Sequence, residues 1–364
     1  MSVSHFPARD PLALVPEDCG RGHACQFCPE DEHCNLDKGQ HEKRLIESRL
    51  ADIGQIIMVM ANKGGVGKST VSANLAAGLA AQGYSVGVAD ADIHGPNQSR
   101  FFGFVGDRIR LSKQGLAPKA FTHQKTKQPI QVGSLAFMME TDDTPIVWRD
   151  AYKHDFMHHL IGSFDWGALD FLVIDMPPGT GNELITLADL LEGHDVAALL
   201  TTTPQEVALM DSLKAVSFCH ERKLPLIGLV ENMAGVTCPN CTEQFHVFPR
   251  GHLAEALAAA NIKSIAQIPL SLALSTASDQ GVPVMLAQAD SPEAQAFAPM
   301  VQACIKYTQE VFTEAATQTL HTLGQDQLST QEIEQAVSLV PADEQESVRQ
   351  QLQALLGVST PPTA

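Results

Sequence analysis

Two kinds of side chain in this sequence have the spacing to do chemistry: a lysine set in a glycine loop, and six cysteines gathered into two groups. The run KGGVGKST, from Lys63 to Thr70, places Gly64, Gly65, Val66 and Gly67 ahead of Lys68, Ser69 and Thr70. Its glycines let successive backbone N–H groups turn inward on a phosphate chain, Lys68 supplies a compact positive charge, and Ser69 or Thr70 offers a hydroxyl to Mg²⁺. That chemistry is nucleotide binding. Two acids downstream suit phosphoryl transfer. Asp92, within DADIHGPN, can hold Mg²⁺ through water or orient the water that attacks a γ-phosphate. Asp92 could also cap the short helix expected near Asn97. Asp175 ends the apolar run LDFLVID ahead of Met-Pro-Pro-Gly and reads as a second magnesium-side carboxylate.

Cys19, Cys25, Cys28 and Cys34 are spaced C-x5-C-x2-C-x5-C in a Gly-, Pro- and charge-rich stretch with almost no apolar periodicity. Such a stretch cannot order itself on a hydrophobic core. Four thiolates around one centre would do so, as a zinc site or an iron-sulfur cluster, and spacing does not separate these two. His23, His33 and His41 lie nearby and could replace one thiolate, although a histidine in a charged loop is more often merely solvated. Cys238 and Cys241 form a C-x2-C that stands alone. A zinc ion or a cluster asks for about four protein ligands, so two thiols supply half and a two-fold dimer would supply the rest. A zinc knuckle completed by His246 and a dithiol redox pair are the alternatives. Cys219 and Cys304 sit in apolar, helical settings and read as buried structural thiols.

The elements that must position these groups alternate between buried apolar runs and helical stretches from about residue 55 to 320. That pattern predicts an α/β fold, a mostly parallel sheet covered by helices on both faces. The expected strands are Gln55–Ala61, Ser85–Asp90, Ile130–Ala136, Phe171–Asp175, Val196–Thr202, Leu226–Asn232 and Ser264–Ile268. Ligands in such sheets bind at the carboxyl ends of the strands, where the acids above fall. The loop KGGVGKST lies between the first strand and a helix expected over Val71–Ala81, which puts the phosphates on a helix N-terminus. Gln40–Leu50 reads as a helix feeding the first strand. Three segments follow: residues 1–50, rich in cysteine; 51–320, the nucleotide-binding domain with its C-x2-C; and 321–364, a helical extension. The extension shows short amphipathic patterns at Thr330–Leu339 and Glu344–Leu356, and a disordered end.

The 364 residues carry 42 acidic and 24 basic side chains, a formal charge of −18 that repels nucleic-acid phosphates and anionic lipid. Neither nucleic acid nor a membrane is therefore an expected partner. No apolar run approaches the length of a membrane span and no secretory signal is visible, so the chain reads as cytoplasmic. In a reducing compartment the eight cysteines are ligands or buried thiols rather than a disulfide framework.

Taken in order, KGGVGKST, DADIHGPN, LAFMMETDDTPIVWR around Trp148 and Arg149, VIDMPPGTG, TTTPQEVAL and GLVENMAGVTCPNC resemble a known family. It is the Mrp-type (ApbC/NBP-like) P-loop ATPases, iron-sulfur cluster carriers of the deviant P-loop class that also holds the MinD, ParA and nitrogenase iron proteins. The resemblance spans roughly residues 51 to 310. The N-terminus looks like that of the scaffold branch, which carries a ferredoxin-like four-cysteine segment, although the Cys19–Cys25 interval is shorter than usual there. FPRGHLAEAL stands where a glycine-rich turn usually follows the C-x2-C.

The resemblance implies a homodimer that binds and hydrolyses ATP with Mg²⁺, assembles a [4Fe-4S] cluster and transfers it to apo iron-sulfur proteins. It implies that Lys63 is a signature lysine reaching the partner subunit's nucleotide, and that Asn232 contacts adenine. Cys238 and Cys241 would then share a cluster across the dimer, while Cys19, Cys25, Cys28 and Cys34 hold another within each chain. The rival readings are an ATP-gated electron donor of the nitrogenase-iron-protein type and a MinD- or ParA-like positioning ATPase.

Overall fold

The run IGQIIMVM has almost no polar side chain to show water, and it forms a strand at the middle of an eight-stranded sheet, with Ile57, Met58 and Val59 fully buried. The computed structural model describes residue 19, residues 21–25, 28, 31–109, 111–139, 150–238, 241, 243–248 and 253–322. Helix α1 (Lys38–Ala51) starts on Asp37, whose carboxylate accepts from Gln40 N at 3.0 Å, and it leads into β1 (Ile53–Met60). The phosphate-loop stretch then opens α2 (Lys68–Ala81), followed by β2 (Val86–Asp90) and a single turn, α3 (Gln98–Phe101).

A hairpin of β3 (Leu111–Ser112) and β4 (Gly115–Leu116) precedes β5 (Lys119–Phe121) and β6 (Ile130–Ser134). The middle of the chain alternates strictly: α4 (Asp150–Gly162), β7 (Leu169–Asp175), α5 (Asn182–Leu190), β8 (Val196–Thr202), α6 (Glu206–Glu221) and β9 (Leu226–Asn232). A second hairpin, β10 (Val236–Thr237) with β11 (Gln244–Phe245), leads to α7 (Leu253–Ala259), β12 (Ser264–Ile268), α8 (Leu272–Asp279), α9 (Val284–Ala287) and α10 (Pro292–Thr322).

The sheet order is β12-β9-β8-β1-β7-β2-β6-β5, parallel except where β5 pairs antiparallel with β6. Every residue of β7 is buried, the burial that a parallel sheet acquires when helices cover both its faces. The α/β architecture is thus the one the alternating pattern predicts. Each of the seven expected strands is present, with ends moved by two residues or fewer. Ile130 begins its strand as expected, but the strand stops at Ser134, whose hydroxyl accepts from Ala136 N at 3.2 Å and turns the chain. Helix α2 begins at Lys68 and not at Val71, because Gly67 takes the left-handed conformation (φ 85°) that ends the loop. Strand β5 and the two hairpins, each strand two or three residues long, were not anticipated.

The chain divides into two compact units. The first carries the sheet and reaches Ala303; of the second, which begins at Cys304, the described residues hold the C-terminal part of α10. Trp148, Arg149 and the amphipathic patterns expected at Thr330–Leu339 and Glu344–Leu356 lie outside the described residues. Among the described residues no helix is long and apolar enough to cross a membrane.

Candidate functional site

Strands β1, β7 and β2 end side by side, and register places Asp175 between Val59 and Asp90. Lys68, at the first position of α2, is buried and reaches these strand ends. Its Nζ lies 2.6 Å from Asp175 Oδ1 and 3.7 Å from Asp92 Oδ2. One turn further along α2, Ser72 Oγ donates to Asp175 Oδ1 at 3.0 Å. The other oxygen of Asp175 accepts from Gln98 Nε2 at 2.8 Å, and that same amide donates to Ser69 O at 3.0 Å. One glutamine therefore ties α3, the phosphate loop and β7 together. Asp90 Oδ2 accepts from Gln98 N at 2.9 Å and from Ser134 Oγ at 3.0 Å. Asp90, and not Asp92, caps the short helix, which corrects the capping role considered for Asp92.

Burial opposes charge on Lys68, but the carboxylate and hydrogen bond of Asp175, then Asp92 and Asp90, raise its pKa above the ordinary value. Asp90 is fully buried, and burial first and the charge of Asp175 second push its carboxyl well above the usual range. Asp92 is also raised, by burial, with Lys68 pulling the other way. Three carboxyl groups thus face one ammonium, and the imbalance is what an added cation would relieve. The free acceptor Gln98 Oε1 is buried and has no hydrogen-bond partner among the described residues. These residues fit a magnesium ion on grounds of charge.

On the other side of the loop, Asn232 Nδ2 donates to Val66 O at 2.8 Å. A Cβ on Gly67 would come within 2.0 Å of that same nitrogen, so the loop and the end of β9 fit only with glycine there. A cavity of about 390 Å³ opens here, lined by Gly67, Thr70, Arg100, Asn232, Ser271 and Asp279 among others. Its size falls in the range of small-molecule sites, roughly 300–1,000 Å³. Gly64 and Gly65 are exposed beside it, and Lys63 is partly exposed.

The cysteines form two separate places. Cys19, Cys25, Cys28 and Cys34 line one cavity of about 220 Å³ together with His23, His33 and His41. His23 and His41 are buried rather than merely solvated: His41 Nε2 lies 3.2 Å from His23 O and its Nδ1 3.8 Å from Cys19 Sγ. Arg21 Nη1 donates to Cys28 Sγ at 3.5 Å. Among the described residues no three His, Cys, Asp or Glu side chains are gathered closely enough to hold a single metal ion. Four thiols around one cavity suit a larger thiolate-bound group.

This segment also has a seat on the protein, which revises the expectation that only a metal could order it. Gly22 N donates to Lys113 O at 2.8 Å and Ala24 N to Ser163 Oγ at 3.2 Å. Arg49 pairs with Asp165 at 2.6 Å while its other amine donates to Gly22 O at 3.2 Å and to Gln114 O.

Cys238 and Cys241 belong to the β10–β11 turn, where Cys238 N donates to Glu243 O at 2.9 Å; Cys241 is exposed. His246 Nδ1 sits 2.8 Å from Ala234 O, its ring engaged with the backbone. Cys219 and Cys304 are buried, and burial pushes their thiols up to about 11 and about 12. Asp90, Gln98, Ser72 and Arg49 were not foreseen. Asp90 had a signal, since it shares a strand end with Asp92 two residues on; Gln98 and Arg49 had none.

Residues 52–305 match the ParA-family model described as NUBPL iron-transfer P-loop NTPase. An iron-sulfur cluster carrier protein of Aquifex aeolicus (strain VF5) is 40% identical over 250 residues, covering 68% of this chain and 66% of that protein. One from Pyrococcus abyssi (strain GE5 / Orsay) is 39% identical over 262 residues, covering 70% of this chain and 87% of its own length. Among solved structures, a nucleotide-binding protein from Archaeoglobus fulgidus in complex with ADP is 33% identical. It superposes with a TM-score of 0.59 over 70% of this chain and 96% of its own.

Proposed function

Since this chain belongs to the NUBPL-type family of iron-transfer P-loop NTPases, we propose that it is an ATP-binding and ATP-hydrolysing homodimeric scaffold that assembles iron-sulfur clusters and passes them to apo-proteins. The observation that carries this reading is one chain holding both a buried lysine among three acids beside a cavity and, elsewhere, four cysteines around a second cavity.

In this reading Gly64, Gly65, Val66 and Gly67 present their N–H groups to the phosphates, and Lys68 leaves Asp175 for the terminal phosphate when nucleotide enters. Ser69 and Asp175 hold Mg²⁺, which neutralises phosphate charge when bound. Asp92 positions the attacking water. Asn232 faces the adenine side and Thr70 lines the same cavity. Lys63, partly exposed, reaches the partner subunit's nucleotide.

Cys238 and Cys241 hold the cargo [4Fe-4S] cluster jointly with the same pair of a second copy. Cys19, Cys25, Cys28 and Cys34 hold a resident cluster within each chain. Nucleotide changes cargo binding only through a difference in affinity between two dimer states. We take residues 1–50, 51–320 and 321–364 as its three functional segments.

Anaerobic iron and sulfide analysis of the wild type beside Cys238→Ala and Cys28→Ala tests the reading. Two separable pools, one lost in each variant, are expected. Zinc in place of iron, with no labile sulfide after cluster loading, would overturn it.

A further inference from the structure

Helix α4 carries the sequence His154-Asp155-Phe156-Met157-His158, and its two histidines, four residues apart, meet on one helix face. Their ring centroids are 4.4 Å apart, with the planes 35° from each other. The side chain of His154 is 56% exposed, and Asp155, 58% exposed, brings a carboxylate oxygen to 3.8 Å from His154 Nδ1. We propose that His154 and His158 form a binding site for a divalent transition-metal cation, distinct from both cysteine sites and independent of the carrier role above.

Imidazoles spaced His-x3-His on a helix can converge on one ion, the arrangement used by zinc-binding helices, at nitrogen–metal distances of about 2.0–2.1 Å. Imidazole selects zinc, nickel, copper or ferrous ions over magnesium or calcium, which take oxygen ligands. His159, next in sequence, belongs to a different contact, with its Nδ1 3.3 Å from Ser163 Oγ.

No third donor is gathered with the pair among the described residues, so water completes the coordination and the ion exchanges readily. The position adds sense to such a site. His158 stands five residues before Ser163, which immediately follows the end of α4 and whose hydroxyl accepts from Ala24 N beside Cys25. A loosely held cation would thus wait on the helix that leads into an anchor of the N-terminal cysteine segment.

Calorimetric titration of Ni²⁺ into the untagged full-length protein tests the site. We expect a binding class of one ion per chain that is weakened at least about tenfold in His154→Ala and in His158→Gln. That class should persist in Cys28→Ala and Cys238→Ala, each of which takes one thiol from a cysteine site and leaves the histidine pair untouched. Wild-type Ni²⁺ binding by His154→Ala, whose side chain is largely exposed, overturns the proposal. So does loss of the class in either cysteine variant with retention in the histidine variants. Urea unfolding of each variant confirms that the comparison is made between folded chains.

Discussion

An ammonium buried among three carboxyl groups makes Lys68 a residue whose loss is felt twice, once by the phosphate it would meet and once by the acids it now neutralises. Breaking a buried ion pair by removing one partner costs about 3–5 kcal/mol, because the other charge is left without compensation. Lys68→Ala should therefore lower the stability of the nucleotide-free protein by that order in urea unfolding, and millimolar Mg²⁺ should restore part of it. A variant as stable as the wild type, or one indifferent to Mg²⁺, would show that the acids do not form a cation site.

His159 sets a different dependence. Burial chiefly, with Asp155 opposing and His158 adding, lowers its pKa from 6.5 to about 4. The folded protein keeps this ring neutral while the unfolded chain protonates near 6.5, so the unfolded state binds more protons between those values. Stability should fall as pH drops from 6.5 to about 4, by up to roughly 3 kcal/mol. In His159→Gln that part of the acid limb should flatten, read as the urea midpoint against pH.

At the scale of elements, the phosphate loop and the end of β9 are one fitted joint. Gly67→Ala forces a left-handed residue to carry a Cβ and drives it into Asn232. Nucleotide affinity should fall by at least about tenfold in this variant, a figure that corresponds to 1.4 kcal/mol. Adding Asn232→Ala relieves the clash but not the left-handed strain and, in its proposed role, also removes an adenine contact, so the pair is compared by urea unfolding of the nucleotide-free protein, where the double variant should be less destabilised than the sum of the two single variants. Strict additivity would mean the two residues do not touch in the nucleotide-free protein.

The same elements show what a sequence reveals. Seven strands were legible because both faces of a parallel sheet are buried and leave long apolar runs, as in Val196–Thr202. Strands of two residues such as Leu111–Ser112 carry no period to read. Lys68 and Asp175 were legible because loop chemistry restricts the residue types allowed there. Gln98 was not, because its role arises from three partners contributed by residues 69, 90 and 175 that only the folded sheet brings together. Arg49 was hidden for the same reason, on an otherwise ordinary helix.

For the whole molecule, Arg49 is the clasp between the cysteine segment and the core. Arg49→Ala should leave the sheet folded and speed alkylation of Cys25 and Cys28 by a thiol reagent, resolved residue by residue by mass spectrometry, while Cys238 and Cys241 react as before. Equal protection of Cys25 and Cys28 in the variant would mean the other backbone contacts suffice.

Arg49 joins Gly22 to Asp165, a partner 116 positions further along the chain. A polypeptide is made from its N-terminus, so the four thiols emerge long before the residue that completes their seat. At about 5–20 residues per second, the interval is on the order of ten seconds. Through it the cysteines are bare to whatever metal or oxidant the nascent chain meets. The order of synthesis thus sets a hazard that the finished fold no longer displays, and correct loading of this segment belongs after the core has closed.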